Sequence, residues 1–348
     1  MNKMKKILMI APTPFFSDRG CHIRVLNSYL KLTCEGNTIT LITYPIGRDI
    51  PGVNVKRVMN LPGYKKTSPG FSVYKPLLDF LLVIKSIREL RSHDYDIIYA
   101  HLHEGALAGI ILKKLFNKKV IFDSQGSLVG ELSAHGTIKK KGIMKKILFS
   151  IEKYITRNSD EIITSTEGLK EFIVNNIDAA KEKDITVVKD LPDKSLFNPK
   201  VKPAKLSLPK NKKIVVYLGG LQLYKGIDYL IKAIPYTNDK FHFLIMGYPV
   251  EDAEKLAKKL NILDRITFTG KVDYEKSPGY LKLGDIAVSP KTLESGEANA
   301  KIYNYIAMNL PVVCFDIPEN REILGKAGIY AKYKDIKDLA KKIEGVGR

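Results

Sequence analysis

Short runs of β-branched and aliphatic residues, each followed by a helical stretch, recur along the chain and then start again half-way. This double alternation restricts the fold more than any other feature. The first series is Lys6 to Ala11, Thr38 to Tyr44, Ile97 to His101, Lys119 to Asp123 and Glu161 to Ser165. The second is Lys213 to Gly219, Phe241 to Met246, Ile266 to Thr269, Ile286 to Ser289 and Pro311 to Phe315. Alternation of this kind marks a parallel sheet with crossover helices. Two series predict two doubly wound α/β units, and 348 residues exceed the size at which one core usually keeps growing. Between them, Lys189 to Lys213 carries Pro192, Pro199, Pro203 and Pro209 among lysines and lacks apolar periodicity, as an interdomain connection should. The expected domains are 1–190 and 191–348.

Several classes of protein drop out. The longest apolar runs, such as Leu81 to Ile84 and Ala108 to Leu112, are far shorter than the roughly 18 residues a membrane span requires. Lysines before an apolar stretch at Met1 to Ile10 resemble a signal peptide, but Pro12, Pro14 and the pair Asp18-Arg19 interrupt it, so it reads as a first buried strand. Cys21, Cys34 and Cys314 stand far apart without metal-ligand spacing, which argues against a disulfide framework or a zinc site and fits a reducing cytoplasm. The formal charge of +20 favours anionic partners: nucleotide diphosphates, acidic lipid headgroups or nucleic acid. No basic stripe interleaved with stacking aromatics supports the last of these.

In open parallel sheets, ligands bind beyond the carboxyl ends of the strands, so the loops there carry the chemistry. After the first strand, Ala11 to Arg24 holds the single glycine Gly20 at a helix start, where backbone amides favour a phosphate. One glycine is not the G-x-G-x-x-G of a pyridine dinucleotide site. The second domain opens as a strand, then Gly219-Gly220, then Lys225-Gly226 and a helix. Lys225 at that turn would set an ammonium against a departing diphosphate. On the acceptor side, His101, His103 and Glu104 follow one strand and Gln125 follows another, where polar groups could bind hydroxyls.

Gly219-Gly220-Leu221 followed by Lys225-Gly226 resembles the Gly-Arg-Leu-x3-Lys-Gly element of the retaining glycosyltransferase 4 family, whose fold is GT-B: two Rossmann-like domains facing a central cleft. Phe268-Thr-Gly270-Lys-Val272 looks like that family's base-proximal loop, and Asp193 with Phe197-x-Pro199 looks like its entry to the second domain. Ser289-Pro290, Glu294 to Lys301 and Asn304 to Val313 are similar to its donor-site block, and Asn320 to Gly325 to the segment that follows. Asp96 to Gly105 and Asp123 to Ser127 look like its acceptor-side loops. The resemblance implies that Lys225 binds the donor diphosphate and that amides from Glu297 through Ala298, Asn299 and Ala300 cradle phosphates and sugar. Glu297 would hold sugar hydroxyls, Asn304 the ribose, and Gly270 and Val272 the base.

Three positions depart from the family pattern: its usual arginine is Gly220, and its Glu-x7-Glu pair is Gly296 and Asn304. Asparagine still bonds hydroxyls, Glu297 or Glu294 would supply the carboxylate, and Lys301 or Arg24 the second cation. No Asp-x-Asp motif is read as offering paired carboxylates, so the transfer is expected to need no metal. The implied reaction moves a hexose-type sugar from a nucleotide-diphosphate donor to a lipid-linked or other glycan or polyol acceptor, with retention. Its rivals are a sugar-nucleotide epimerase of the same architecture and a non-catalytic basic protein of membrane surfaces.

Two helices bear on that last rival. Lys139 to Arg157 mixes lysines with Ile143, Met144, Ile147 and Phe149; it either docks its apolar face on the sheet or lies on anionic lipid at the cytoplasmic membrane face. Val73 to Ile87 is apolar around most of its circumference and reads as a buried core helix.

Overall fold

The computed structural model describes residues 4–67, 72–128, 142–177, 184–222, 225–292 and 298–346. The chain forms two compact units: one reaches to Lys189, and the other starts at Asp190, apart from a short stretch ending at Ala298.

The first unit is a parallel sheet of β1 (Lys6–Ala11), β2 (Thr38–Thr43), β3 (Val55–Arg57), β4 (Ile97–His101), β5 (Lys119–Ser124), β6 (Glu161–Thr164) and β7 (Asp184–Val187), in the order β3-β2-β1-β4-β5-β6-β7. The central strands are continuous apolar runs because helices cover both faces. Leu8, Ile10, Ile98 and Val120 are accordingly buried. Chain order reverses at β1, so β1 and β4 flank the topological switch point.

Helix α1 (Gly20–Cys34) runs back toward β2, while α2 (Lys75–Ser92), α3 (Leu102–Phe116), α4 (Ile143–Asn158) and α5 (Glu167–Asn176) feed strands on the other side of the switch point. Right-handed crossovers therefore put α1 on one face of the sheet and α2 to α5 on the opposite face.

Helix α2 is not the buried core helix expected. It buries Leu78, Leu82 and Leu90, but Leu77 and Phe80 point to solvent. Helix α4 likewise seats Ile155, Glu152 and Thr156 and leaves Ile143, Met144 and Ile147 exposed, so only part of its apolar face docks. Lys139 to Lys141 lie outside the described residues.

The second unit repeats the plan with β8 (Lys213–Leu218), β9 (Phe241–Met246), β10 (Ile266–Gly270), β11 (Ile286–Ser289), β12 (Val312–Phe315) and β13 (Ile329–Ala331), ordered β10-β9-β8-β11-β12-β13 and all parallel. Its switch point lies between β8 and β11. Helices α6 (Ile227–Ala233), α7 (Glu251–Lys259), α8 (Ser277–Leu281), α9 (Lys301–Ala307), α10 (Pro318–Leu324) and α11 (Ile336–Val346) connect or cover the strands. From Val188 to Lys212 there is neither helix nor strand, and Phe197 of this segment is buried against Tyr274. Among the described residues no helix is long and apolar enough to cross a membrane.

Candidate functional site

Crevices open where strand order reverses, and both switch points collect polar side chains. In the first unit the loop after β1 is organised by His22, which is fully buried. The Ser17 amide donates to its Nδ1 at 2.9 Å, which leaves Nε2 to carry the proton and donate to Thr13 Oγ1 at 2.6 Å. The loop thus reaches Gly20 already shaped. Gly20 begins α1, and a Cβ there would meet nothing within 4 Å among the described residues.

One turn along α1, Arg24 is buried and locked to Asp123 at the end of β5: Nε donates to Oδ1 at 2.9 Å and Nη2 to the same oxygen at 2.5 Å. Its Nη1 donates to the Val188 carbonyl. His101, at the end of β4, stands with Nδ1 2.8 Å from Asp123 Oδ2. Burial alone would raise the Asp123 carboxyl, but Arg24 and His101 overcome it and hold it down at about 2. Arg24 therefore meets a counter-charge on Asp123, within the first unit. Gln125 is buried with its side-chain nitrogen 3.5 Å from His101 Nδ1.

His103, in the first turn of α3, is buried with Nε2 3.7 Å from Glu152 Oε1. Glu152 reaches from α4 to accept weakly from Ser127 Oγ and the Leu128 amide at 3.4 and 3.3 Å. Glu104 is half-buried; burial pushes its carboxyl up, but the Lys75 ammonium outweighs this and lowers it. The sequence does contain one Asp-x-Asp, Asp94-Tyr95-Asp96. It precedes β4, at the opposite edge of the sheet from the switch-point loops. There Asp96 accepts from the Lys6 amide, and Asp94 pairs with Lys118. Among the described residues no group of three or more His, Cys, Asp and Glu side chains is placed to hold a metal ion.

In the second unit, Tyr305 of α9 fills the gap where β8 and β11 part: its hydroxyl accepts from the Leu218 amide at 2.8 Å and reaches the Val288 carbonyl at 3.5 Å. Gly219 follows, with φ of +150°, and a Cβ there would sit 2.9 Å from Lys301 Nζ, so the glycine leaves that ammonium its present place. Lys301 Nζ lies 4.4 Å above the Tyr217 ring and donates to the Tyr217 hydroxyl, which in turn donates to the Gly220 carbonyl at 2.8 Å. Lys225 caps the turn, its amide donating to Gln222 O, and Gly226, at φ +85°, passes against the Pro290 carbonyl, where a Cβ would be 1.8 Å away. Buried Lys291 follows Pro290, so the loops after β8 and β11 bring Lys225, Lys291 and Lys301 to one edge.

The approach to α9 is pinned from the side. Asn299 Nδ2 donates to Ser289 Oγ and Asn320 Oδ1, both at 2.8 Å, and Asn320 Nδ2 donates to the Phe315 carbonyl. Ala298 is buried and Ala300 half-buried. Asn304 is buried on α9, and its carboxamide makes no hydrogen bond among the described residues. Gly270 and Val272 lie at the end of β10, on the same edge but two strands from β8. Glu294 and Glu297 lie outside the described residues.

Comparison with known proteins settles the lineage. The pattern of Glycosyltransferase Family 4 matches residues 24–189, and that of Glycosyl transferases group 1 matches residues 212–346. The chain belongs to the glycosyltransferase 4 family. A curated relative, an uncharacterized glycosyltransferase of Methanocaldococcus jannaschii, is 27% identical over 269 residues, which is 75% of this chain and 62% of the relative. The chain thus matches somewhat less than two thirds of that relative's length. Among solved structures, sucrose-phosphate synthase from Thermosynechococcus elongatus superposes with a TM-score of 0.81 at 18% identity, covering 98% of this chain and 89% of the other. Anabaena HepE in complex with UDP-glucose does so with 0.73 at 16%, again covering 98% and 89%. At such identities the likeness shows the fold alone, that of GT-B proteins with two Rossmann-like domains.

Within this family-4 chain, several residues at the two edges escaped sequence reasoning: His22, Glu152, Tyr217, Lys291 and Tyr305. A signal existed for Glu152. It is the one acid in the otherwise basic and apolar stretch Ile143 to Asn158, and a lone carboxylate there is worth placing.

Proposed function

We propose that the chain transfers a hexose-type sugar from a nucleotide-diphosphate donor to a lipid-linked or other glycan or polyol acceptor, with retention of anomeric configuration and without a metal. The observation that carries this reading is the edge at β8 and β11, where Gly219 leaves room for Lys301 over Tyr217 and the following loops carry Lys225 and Lys291 to the same end of the strands. Preorganised cations there suit a pyrophosphate leaving group. The UDP-glucose bound by the HepE neighbour supports the donor class.

In the proposed step the bond from the anomeric carbon to the diphosphate oxygen breaks, with Lys225 and Lys301 stabilising the charge. The acceptor hydroxyl attacks from the same face, and its proton passes to the departing diphosphate. Lys301, propped by Tyr217, takes the place of the arginine that Gly220 lacks. Amides from Ala298 to Ala300 cradle the phosphates, Asn304 meets the ribose, Gly270 and Val272 border the base, and Glu297, or failing it Glu294, holds sugar hydroxyls. His103 and Gln125 serve the acceptor. The free cysteines Cys21, Cys34 and Cys314 fit work in the cytoplasm.

A thermal-shift panel of UDP-, GDP- and ADP-sugars identifies the donor, because a bound ligand stabilises the folded state by mass action. With that donor, Lys225→Ala is expected to lower transfer at least about tenfold. Wild-type turnover in the variant removes Lys225 from the mechanism, and conversion of the donor without any acceptor would replace transfer by epimerisation.

A further inference from the structure

In the layer formed by α2, α3 and α4, with α3 packed between the other two, two carboxylates are buried and two half-buried, and none is fully exposed. Its acids are Asp79, Glu89, Glu104 and Glu152, and each is turned inward to a partner: Tyr44, Lys56, Lys75 and the Ser127–Leu128 turn respectively. What remains on the outside is apolar or basic. Leu77 and Phe80 stand out from α2, Ile111 and Leu115 from α3, and Ile143 and Ile147 from α4, with Phe80 60% and Ile143 77% exposed. Arg88, Lys114, Lys145, Lys146 and Arg157 are exposed on the same three helices.

An ordinary solvated helix mixes signs. In the second unit α7 exposes Glu251 and Asp252 beside Lys255 and Lys258. Scattered apolar residues on a surface need no explanation, but several on adjoining helices, without one exposed acid, call for a partner. A second copy of the chain would bring the same positive face, and a symmetric contact would set like charges against each other. Nucleic acid would answer the cations but not the aliphatic side chains. Aliphatic and aromatic groups flanked by lysine and arginine match the boundary between acyl chains and anionic headgroups.

We propose that the α2–α3–α4 face docks on an anionic lipid bilayer, with Leu77, Phe80, Ile143 and Ile147 entering the interface while Lys145, Lys146, Lys114 and Arg88 lie among the headgroups. Leu77, Phe80, Ile143 and Ile147 lie in the first two turns of their helices, which start beyond the carboxyl ends of the strands, the same edge as His103 and Gln125. Docking there holds that edge beside the bilayer. Where the transfer reaction proposed above also holds, an acceptor carried on a lipid reaches the edge without leaving the membrane. The docking itself does not rest on that reaction.

The test is sedimentation of the full chain with vesicles of phosphatidylcholine alone or mixed with phosphatidylglycerol, without donor. The chain is expected to pellet with the anionic vesicles, less in high salt, and weakly with phosphatidylcholine alone. Leu77→Ser with Phe80→Ser, and separately Lys145→Glu with Lys146→Glu, each lower binding at least about tenfold at unchanged circular dichroism and melting temperature. Lys255→Glu with Lys258→Glu on the second unit leaves binding as it was. Equal binding to both vesicle types, wild-type binding by either face variant, or a vesicle-free dimer that the face variants dissolve would each overturn the proposal. Loss of transfer activity with vesicle binding intact would count against the catalytic reading alone.

Discussion

The two strand-end edges share one architecture and are made of different materials. At the first, the charged groups are already engaged: Arg24 and the imidazole of His101 on Asp123, Lys75 on Glu104, and Glu152 on the hydroxyl and amide of the Ser127–Leu128 turn. At the second, Gly219 at positive φ leaves room for Lys301, and the supports are neutral, the phenol of Tyr217 and the chain Ser289–Asn299–Asn320. A doubly wound sheet determines where a crevice opens. A few residues at the strand ends decide whether its charged groups are engaged in place or whether it gathers lysines on neutral supports.

The sharpest way to break this contrast is to unbalance the first edge. Asp123→Asn leaves the Arg24 guanidinium buried without its counter-charge, and a loss of about 3–5 kcal/mol in urea unfolding is expected. A loss below about 1 kcal/mol would mean that water reaches Arg24 and the edge is not closed.

Changes at the second edge should leave stability alone and act on ligand affinity. Lys301→Ala is expected to weaken donor binding by calorimetry about ten- to hundredfold, the worth of one charge-assisted hydrogen bond. Among the described residues, a Cβ at Gly220 would meet the flexible end of Gln222 at 2.3 Å, which can turn aside, and Gly220→Arg should restore affinity in the Lys301→Ala background. Failure of both would move the phosphate site away from this turn.

Acid separates the units by sign. The folded Asp123 carboxyl sits at about 2, below its ordinary value of 3.8, so its stabilisation is complete above 3.8 and is lost as pH falls from there toward 2. Hydrogen exchange should show peptides of the first unit losing protection in that window before those of the second.

Asp79 runs the other way and gives the smallest effect. Burial raises it to about 6, so it favours the fold most below 3.8 and that contribution fades as pH rises through 6. Asp79→Asn, which still accepts from the Tyr44 hydroxyl, should raise Tm slightly at pH 8 and leave it unchanged near pH 4.

How much was legible beforehand follows from the range of the forces involved. β1, β4, β9 and β11 match their expected limits because each is a mainly apolar run buried on both faces. β3, β7 and β13 went unseen: they are short edge strands, partly exposed, with no apolar run to announce them. α2 was misjudged because leucines and phenylalanine surround it, and composition alone cannot say which side meets the sheet. At the second edge the positions of Gly219 and Lys225 were readable because a strand–glycine–helix junction is local. Tyr217 and Lys301 were not seen as a pair, since 84 positions separate them.

Periodicity and turn chemistry act over a few residues, so the chain alone specified two doubly wound α/β units and the loops in which to search. Strand order is a property of the assembled sheet. It alone brought Arg24 to Asp123 across 99 positions, lodged Tyr305 between β8 and β11, and turned the acids of three neighbouring helices inward, because burying a charge is tolerable only where a partner is already waiting.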